Sequence, residues 1–219
     1  MFNSPCYFFR RSYNRVARNP FIRLLHASPN APTVDVYTND NLVARNLSYK
    51  EFTEYFPVPA SSYHINAFPT GQKSNPILAT NVSVPAGSIL TIAGVGTVPN
   101  MSVLPVSDRL MSIVPGKTYI KFVHLSPNTQ AVDVTLPTGT KLFSDIEFKE
   151  VTNYLAVQPG QYTFQARPTG TSTVVLNVPN INIKPDRLYT IYFVGLSGSV
   201  PSLQMLIALD GNSYIGADR

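Results

Sequence analysis

The sequence has one cysteine, Cys6, and no tryptophan in 219 residues. A single thiol excludes an internal disulfide framework and any metal site built from a cysteine cluster. Charge is scarce too: Asp, Glu, Lys and Arg make up 13% of the chain, about half the usual quarter. With 44% hydrophobic residues, the chain is too apolar for disorder. Long apolar runs are missing, and none approaches the roughly 20 residues that span a bilayer. Proline is plentiful, with 19 residues beside 12 glycines. Prolines scattered between short apolar runs argue for strands and turns and against helices.

Acid is absent from the first 23 residues, which hold Arg10, Arg11, Arg15, Arg18 and Arg23. The remaining Lys and Arg balance the 12 Asp and Glu, so the whole net charge of +5 belongs to this opening stretch. The rest is neutral and supplies no basic face for nucleic acid.

That remainder is one unit written twice. Residues 22–30, Ile-Arg-Leu-Leu-His-Ala-Ser-Pro-Asn, return at 120–128 as Ile-Lys-Phe-Val-His-Leu-Ser-Pro-Asn. Val34-Asp35-Val36 returns as Val132-Asp133-Val134. After a one-residue insertion, Lys50-Glu51, Thr53 and Tyr55 match Lys149-Glu150, Thr152 and Tyr154. Pro69-Thr70-Gly71 matches Pro168-Thr169-Gly170, and Gly96 matches Gly195. A unit this long is a small domain rather than a solenoid repeat.

Within each unit the apolar period is two. Val34 and Val36 share one face, with Asp35 and Tyr37 opposite, so Asp35 and Asp133 are expected to face outward or toward an edge. Residues 88–95 and 188–194 are near-continuous apolar runs and read as central strands covered on both sides. Turn signals every 8–12 residues predict a β-sandwich of seven or eight strands per unit. The one helical candidate is a short turn at 48–54, repeated at 147–153. The fold class is all-β: two tandem Ig-like or transthyretin-like antiparallel β-sandwich domains, 22–114 and 115–219, behind an N-terminal arm, 1–21.

The run His-Ala-Ser-Pro-Asn-Ala-Pro-Thr-Val-Asp-Val-Tyr, residues 26–37, resembles the signature of the DUF4397 family of bacterial β-sandwich domains. The second copy, from His124, is looser: Leu125 replaces the small residue, and Thr129-Gln130 replaces Ala-Pro. The resemblance covers residues 22–210. It implies a sandwich with an extracellular or cell-surface tendency and no established chemistry. Members usually carry secretion signals, which this chain lacks in recognisable form.

His26 and His124 are the candidates for chemistry, as metal ligands or general bases with Asp35 and Asp133. A catalytic or zinc site needs three or more convergent polar groups, and each unit repeats only one His and one Asp. The expectation is therefore that His26, Ser28, Pro29 and Asp35, with His124, Ser126, Pro127 and Asp133, are structural. Proline directly after serine suits a turn, and no Gly-x-Ser-x-Gly elbow is present. No cofactor, metal or enzymatic activity is expected. Several of the 12 tyrosines are expected on solvent-facing strand positions, as ordinary strand composition or as a sticky packing surface.

The arm carries Cys6, Tyr7, Phe8, Phe9, Arg10 and Arg11. Its arginines follow its apolar stretch, the reverse of a secretory signal, and Pro5 weakens a mitochondrial transit helix. Three readings stay open: an inert tail, an arm docking on a neighbouring subunit, or an electrostatic tether. The function expected is a structural or assembly protein of a bacterial cell or spore surface, possessing protein partners through self-association or another surface protein. A carbohydrate-binding or adhesin-like module is the alternative.

Overall fold

The computed structural model describes residues 19–108, 111–213 and 215. The first unit contains β1 (Phe21–His26), β2 (Val34–Thr38), β3 (Asn41–Leu47), β4 (Phe56–Pro57), β5 (Ser61–Pro69), β6 (Leu78–Val84), β7 (Ile89–Thr97) and β8 (Asn100–Ser107). The second contains β9 (Thr118–His124), β10 (Val132–Thr135), β11 (Lys141–Ile146), β12 (Leu155–Val157), β13 (Gly160–Pro168), β14 (Leu176–Ile183), β15 (Arg187–Val194) and β16 (Gln204–Leu209). Strand order is the same in both: β4-β1-β7-β8 with β3-β2-β5-β6, and β12-β9-β15-β16 with β11-β10-β13-β14. The pairs β1–β7 and β9–β15 are parallel, and every other pair is antiparallel.

The two-residue period explains the first layer of packing. Val34, Val36, Ile65, Ala67, Val82 and Val84 meet Ile22, Leu24, Leu90 and Ile92 inside the first sandwich. The counterparts in the second are Val132, Val134, Phe164, Ala166, Ile183, Ile120, Phe122 and Ile191. The runs read as central strands are β7 and β15, each in the middle of its sheet. What covers their second face is the other unit. Leu25, Ala27, Ala93, Val95 and Val106 pack with Val123, Leu125, Tyr192 and Val194 in one cluster. The molecule is thus four sheets deep, with the two inner sheets facing each other.

The stretches 48–54 and 147–153 form turns and no helix; a single 3-10 turn, Gly211–Ser213, is the only helical element among the described residues. Each turn is closed by a carboxylate. The Ser48 N–H donates to Glu51 Oε2 and the Glu147 N–H to Glu150 Oε2. Lys50 and Lys149 sit at φ 72° and 71°, and their N–H groups donate to the His26 and His124 carbonyls. Gly96 and Gly195, at φ 87° and 100°, begin the β7–β8 and β15–β16 turns. A Cβ at Gly96 would stand 2.7 Å from the Asn100 carbonyl oxygen, so no other residue fits that turn.

The two cores differ in filling. Phe122, Phe143, Phe164 and Phe193 crowd the second, where the first has Leu24, Ala44, Ile65 and Gly94 at the corresponding positions. The first sandwich accordingly keeps a cavity of about 40 Å³, bordered by Leu24, Ile65, Gly94 and Met101. A Cβ on Gly94 would meet only the Leu25 oxygen at 3.8 Å and the Met101 methyl at 3.9 Å. Gly94→Ala should therefore raise stability by about 0.5–1 kcal/mol, from reduced unfolded-state freedom in a mid-strand position. Phe193→Ala should lower it by about 3–5 kcal/mol. Thermal and urea denaturation of both variants check the pair.

Candidate functional site

The His-x-Ser-Pro-Asn motif starts at the last residue of β1 and of β9, and its His and Asn side chains hold neighbouring loops in both copies. His26 Nε2–H donates to the Pro32 carbonyl at 2.9 Å, and His124 Nε2–H to the Gln130 carbonyl at 3.3 Å. Both rings are buried, and burial lowers the pKa of each below the ordinary 6.5 despite those bonds. Nδ1 of both rings is buried without a hydrogen-bond partner among the described residues. Ser126 Oγ donates to the Gly195 carbonyl at 2.7 Å. Asn30 and Asn128 each clamp the turn after the parallel strand: Oδ1 accepts from the Val98 and Ser197 N–H groups, and Nδ2 donates to the same residues' carbonyls.

Asp35 and Asp133 do not join the histidines. They point away from the valine core, as alternation requires, yet they are not solvent-exposed, at 6% and 1%. Bulges in β3 and β11 fold backbone over them. Asp35 accepts the N–H groups of Asn46 and Gly71 at 2.8 and 3.0 Å, which lower its pKa below 3.8. Burial would raise Asp133, but the Lys141 ammonium at 2.6 Å and the Asp145 N–H outweigh it, and its pKa is also lowered. No group of three or more His, Cys, Asp or Glu suited to a metal occurs among the described residues.

The largest polar constellation lies elsewhere, between the inner sheets. Arg23 of β1 crosses to the second unit, where it donates to the Leu209 carbonyl at 3.0 Å and stands 3.9 Å from Asp210. Lys121 of β9 makes the reverse crossing, donating to the Ser107 carbonyl at 2.6 Å and to Asp108 at 3.2 Å. Tyr55 donates to Asp108 at 2.5 Å and Tyr154 to Asp210. Thr91 accepts from Arg23, and Thr190 donates to Asp210. Arg23 lies over the Phe52 and Tyr55 rings, and Lys121 over Tyr154. Burial opposes the Arg23 charge, but Tyr192, Tyr55, Asp108 and Asp210 more than offset this and raise its pKa. Asp210, with its cations 3.8 and 3.9 Å away, is pushed up to about 6 by burial and then by Asp108.

Arg23, counted above with the charge of the opening stretch, is buried in β1. The cluster was signalled by a cation kept mid-strand in both copies, and by an Asp closing the last strand of each. The loop of the second copy (196–203) is longer than its counterpart, which displaces Asp210 from the register of the earlier matches. Of the tyrosines, Tyr37, Tyr49, Tyr55, Tyr63, Tyr119, Tyr154, Tyr162 and Tyr189 are half-buried and Tyr192 is fully buried; Tyr63 packs against the first core, and Tyr162 and Tyr189 against the second. Open to solvent is a groove of about 630 Å³ in the second sandwich, bordered by Leu176, Leu196, Ser199 and Leu203, with no aromatic ring in its lining. Cys6, Tyr7, Phe8, Phe9, Arg10 and Arg11 lie outside the described residues. No helix among the described residues is long and apolar enough to cross a membrane.

Removing Lys121 should be severe, since it strands Asp108 in the interior. Lys121→Met is expected to lose about 3–5 kcal/mol, read by urea denaturation. For the histidines, a lowered folded pKa means that the unfolded state binds more protons as pH drops below 6.5. Their contribution is full above that value and shrinks as pH falls toward the folded pKa values. The melting temperature of wild type minus that of a His26→Gln, His124→Gln double variant should therefore be largest above pH 7 and decline by pH 5. Below 3.8, as Asp35 and Asp133 take up protons, wild type and double variant should lose stability together.

No curated protein matches the sequence. Among solved structures, the Bacillus anthracis TIE protein shares 10% identity at a TM-score of 0.27, over 82% of this chain and 34% of its own. This chain therefore spans about a third of that protein's length. CBMbc, a family CBM26 module of Eubacterium rectale Amy13K solved with maltoheptaose, shares 9% identity at a TM-score of 0.29, over 86% of this chain and 96% of its own. Such scores bear on neither ligand nor function. A family model described as a domain of unknown function, DUF4397, matches residues 20–135 and again 136–218. Nearly the whole described chain is covered, in two tandem copies: the protein belongs to the DUF4397 family.

Proposed function

We propose that the protein is a non-enzymatic structural subunit of a bacterial surface layer, such as a spore coat, and that residues 1–21 dock on a neighbouring subunit. The observation that carries this reading is that the described residues build two whole sandwiches. Among them, four sheets and three apolar clusters are assembled from residue 21 onward. The buried polar groups hold loops and join the two sandwiches, so the described body has the character of a rigid building block. The segment ahead of it carries Tyr7, Phe8 and Phe9 beside Arg10 and Arg11, the residue types enriched at interface centres. A short apolar stretch of this kind suits strand addition to an open sheet edge, with arginines on the rim.

Deleting residues 1–18, or substituting Phe8→Ser with Phe9→Ser, should leave the melting temperature within about 2 °C. Both changes should abolish oligomers or fibres seen by size exclusion and negative-stain microscopy. High salt should weaken assembly of the intact chain only in part, because the apolar anchor is unscreened. Assembly of the truncated chain at full-length efficiency would sink the docking role.

A further inference from the structure

The outer-sheet edges are not equally protected. An unpaired edge strand invites another chain unless a bulge, charge or proline blocks it. β3 and β11 are each shifted twice in register against their partners. They also carry Asn46 at φ 54° with Arg45, and Asp145 at φ 56° with Lys141. β14 carries Pro179 and Asn180 at φ 64°, beside a register shift. β6 has none of these devices. Leu78-Ala-Thr-Asn-Val-Ser-Val84 pairs with β5 without a shift and contains no proline, glycine or charge. The inner edges are occupied at one end: β8 gives the Ser107 carbonyl to Lys121 and carries Pro105, and β16 gives the Leu209 carbonyl to Arg23.

Strand alternation identifies the free groups on β6. His64 of β5 donates its N–H to Asn39 Oδ1 and accepts from the Asn39 N–H, so its backbone turns toward the β2 side. Tyr63, Ile65 and Ala67 therefore turn toward β6, opposite Val82, Thr80 and Leu78. Paired residues in such a ladder exchange both bonds, which leaves the N–H and C=O of Ala79, Asn81 and Ser83 pointing out of the sheet. The three side chains are small, uncharged and exposed. Asn81 folds its side chain back onto His64 Nδ1 at 2.9 Å.

We propose that β6 pairs antiparallel with β6 of a second copy, about a two-fold axis at Asn81, to make one continuous outer sheet across two molecules. The edge is complementary to itself. With Asn81 opposite Asn81, Ala79 falls opposite Ser83, and each outward-facing residue meets an outward-facing partner. Leu78, Thr80, Val82 and Val84 of both copies then extend one inward face, and no like charges are opposed. Closed two-fold association of this kind uses the same patch on both partners. The contact uses no residue of the N-terminal segment, so deleting residues 1–18 and substituting Asn81 test the two associations separately.

Sedimentation of the full chain from micromolar to millimolar concentration should show a reversible dimer. Asn81→Lys and Asn81→Asp, each placing like charges across the axis, should raise the dissociation constant about tenfold or more. Circular dichroism should report both variants folded. Mixing the two should restore dimers as a Lys–Asp heterodimer, a result that mere structural damage does not produce. Ser83→Pro, which removes one outward N–H and leaves the β5 ladder intact, should weaken the dimer likewise. A chain that stays monomeric throughout overturns the pairing. So does an oligomer that depends on residues 1–18 and ignores residue 81, an outcome that would keep the docking segment and discard the edge.

Discussion

Each half of the molecule places a cation in the middle of its first apolar strand, and each cation reaches across to a carbonyl and an acid of the other half. Arg23 and Lys121 are buried between the inner sheets and reach across to the ends of the opposite unit's last strand. A buried charge without a partner costs several kcal/mol. Separating the inner sheets would strip Arg23 of the Leu209 carbonyl and Asp210, and Lys121 of the Ser107 carbonyl and Asp108. The apolar residues around the cluster provide attraction, which is not directional. The crossed pairs provide register, because each cation meets its acid in one arrangement of the two sheets.

The two sandwiches share strand order and motif but not packing. Four phenylalanines fill the second core, while smaller residues leave a void in the first. The same asymmetry runs through the polar details. Among the described residues, Ser126 finds two partners where Ser28 finds none, and Phe148 stands where Tyr49 buries its hydroxyl. The first unit is thus the looser of the two, although it contributes equally to the seam.

Much of this architecture was visible in the sequence because its signals are local and repeated. The period-two runs located β2 and β10, and the repeat itself told the two units apart. The Ser-Pro-Asn turns were readable from proline's fixed φ and its effect on the residue before it. The burial of Asp35 was not, because alternation says which way a side chain points and is silent on what folds over it. That cover comes from a bulge signalled only by Asn46, a residue at ease with positive φ. The central cluster was hidden for another reason. Its members Arg23, Tyr55, Thr91 and Asp108 are scattered along one unit, and Lys121, Tyr154 and Asp210 come from the other. A buried arginine in a strand reads as an end of a basic segment until the opposing sheet is known.

The crossed pairs also bear on how such a tandem arises. Because Arg23 answers Asp210 as Lys121 answers Asp108, a single unit carries both halves of the contact on one face. Such a face is complementary to a copy of itself, and a unit on a separate chain would meet its twin only at a concentration set by the cell. Joining two copies on one chain raises the effective concentration of each for the other to about the millimolar range. The association then no longer depends on expression level. The linked copies can then differ, arginine on one side and lysine on the other, smaller residues in one core and phenylalanines in the other, provided the exchange across the seam survives.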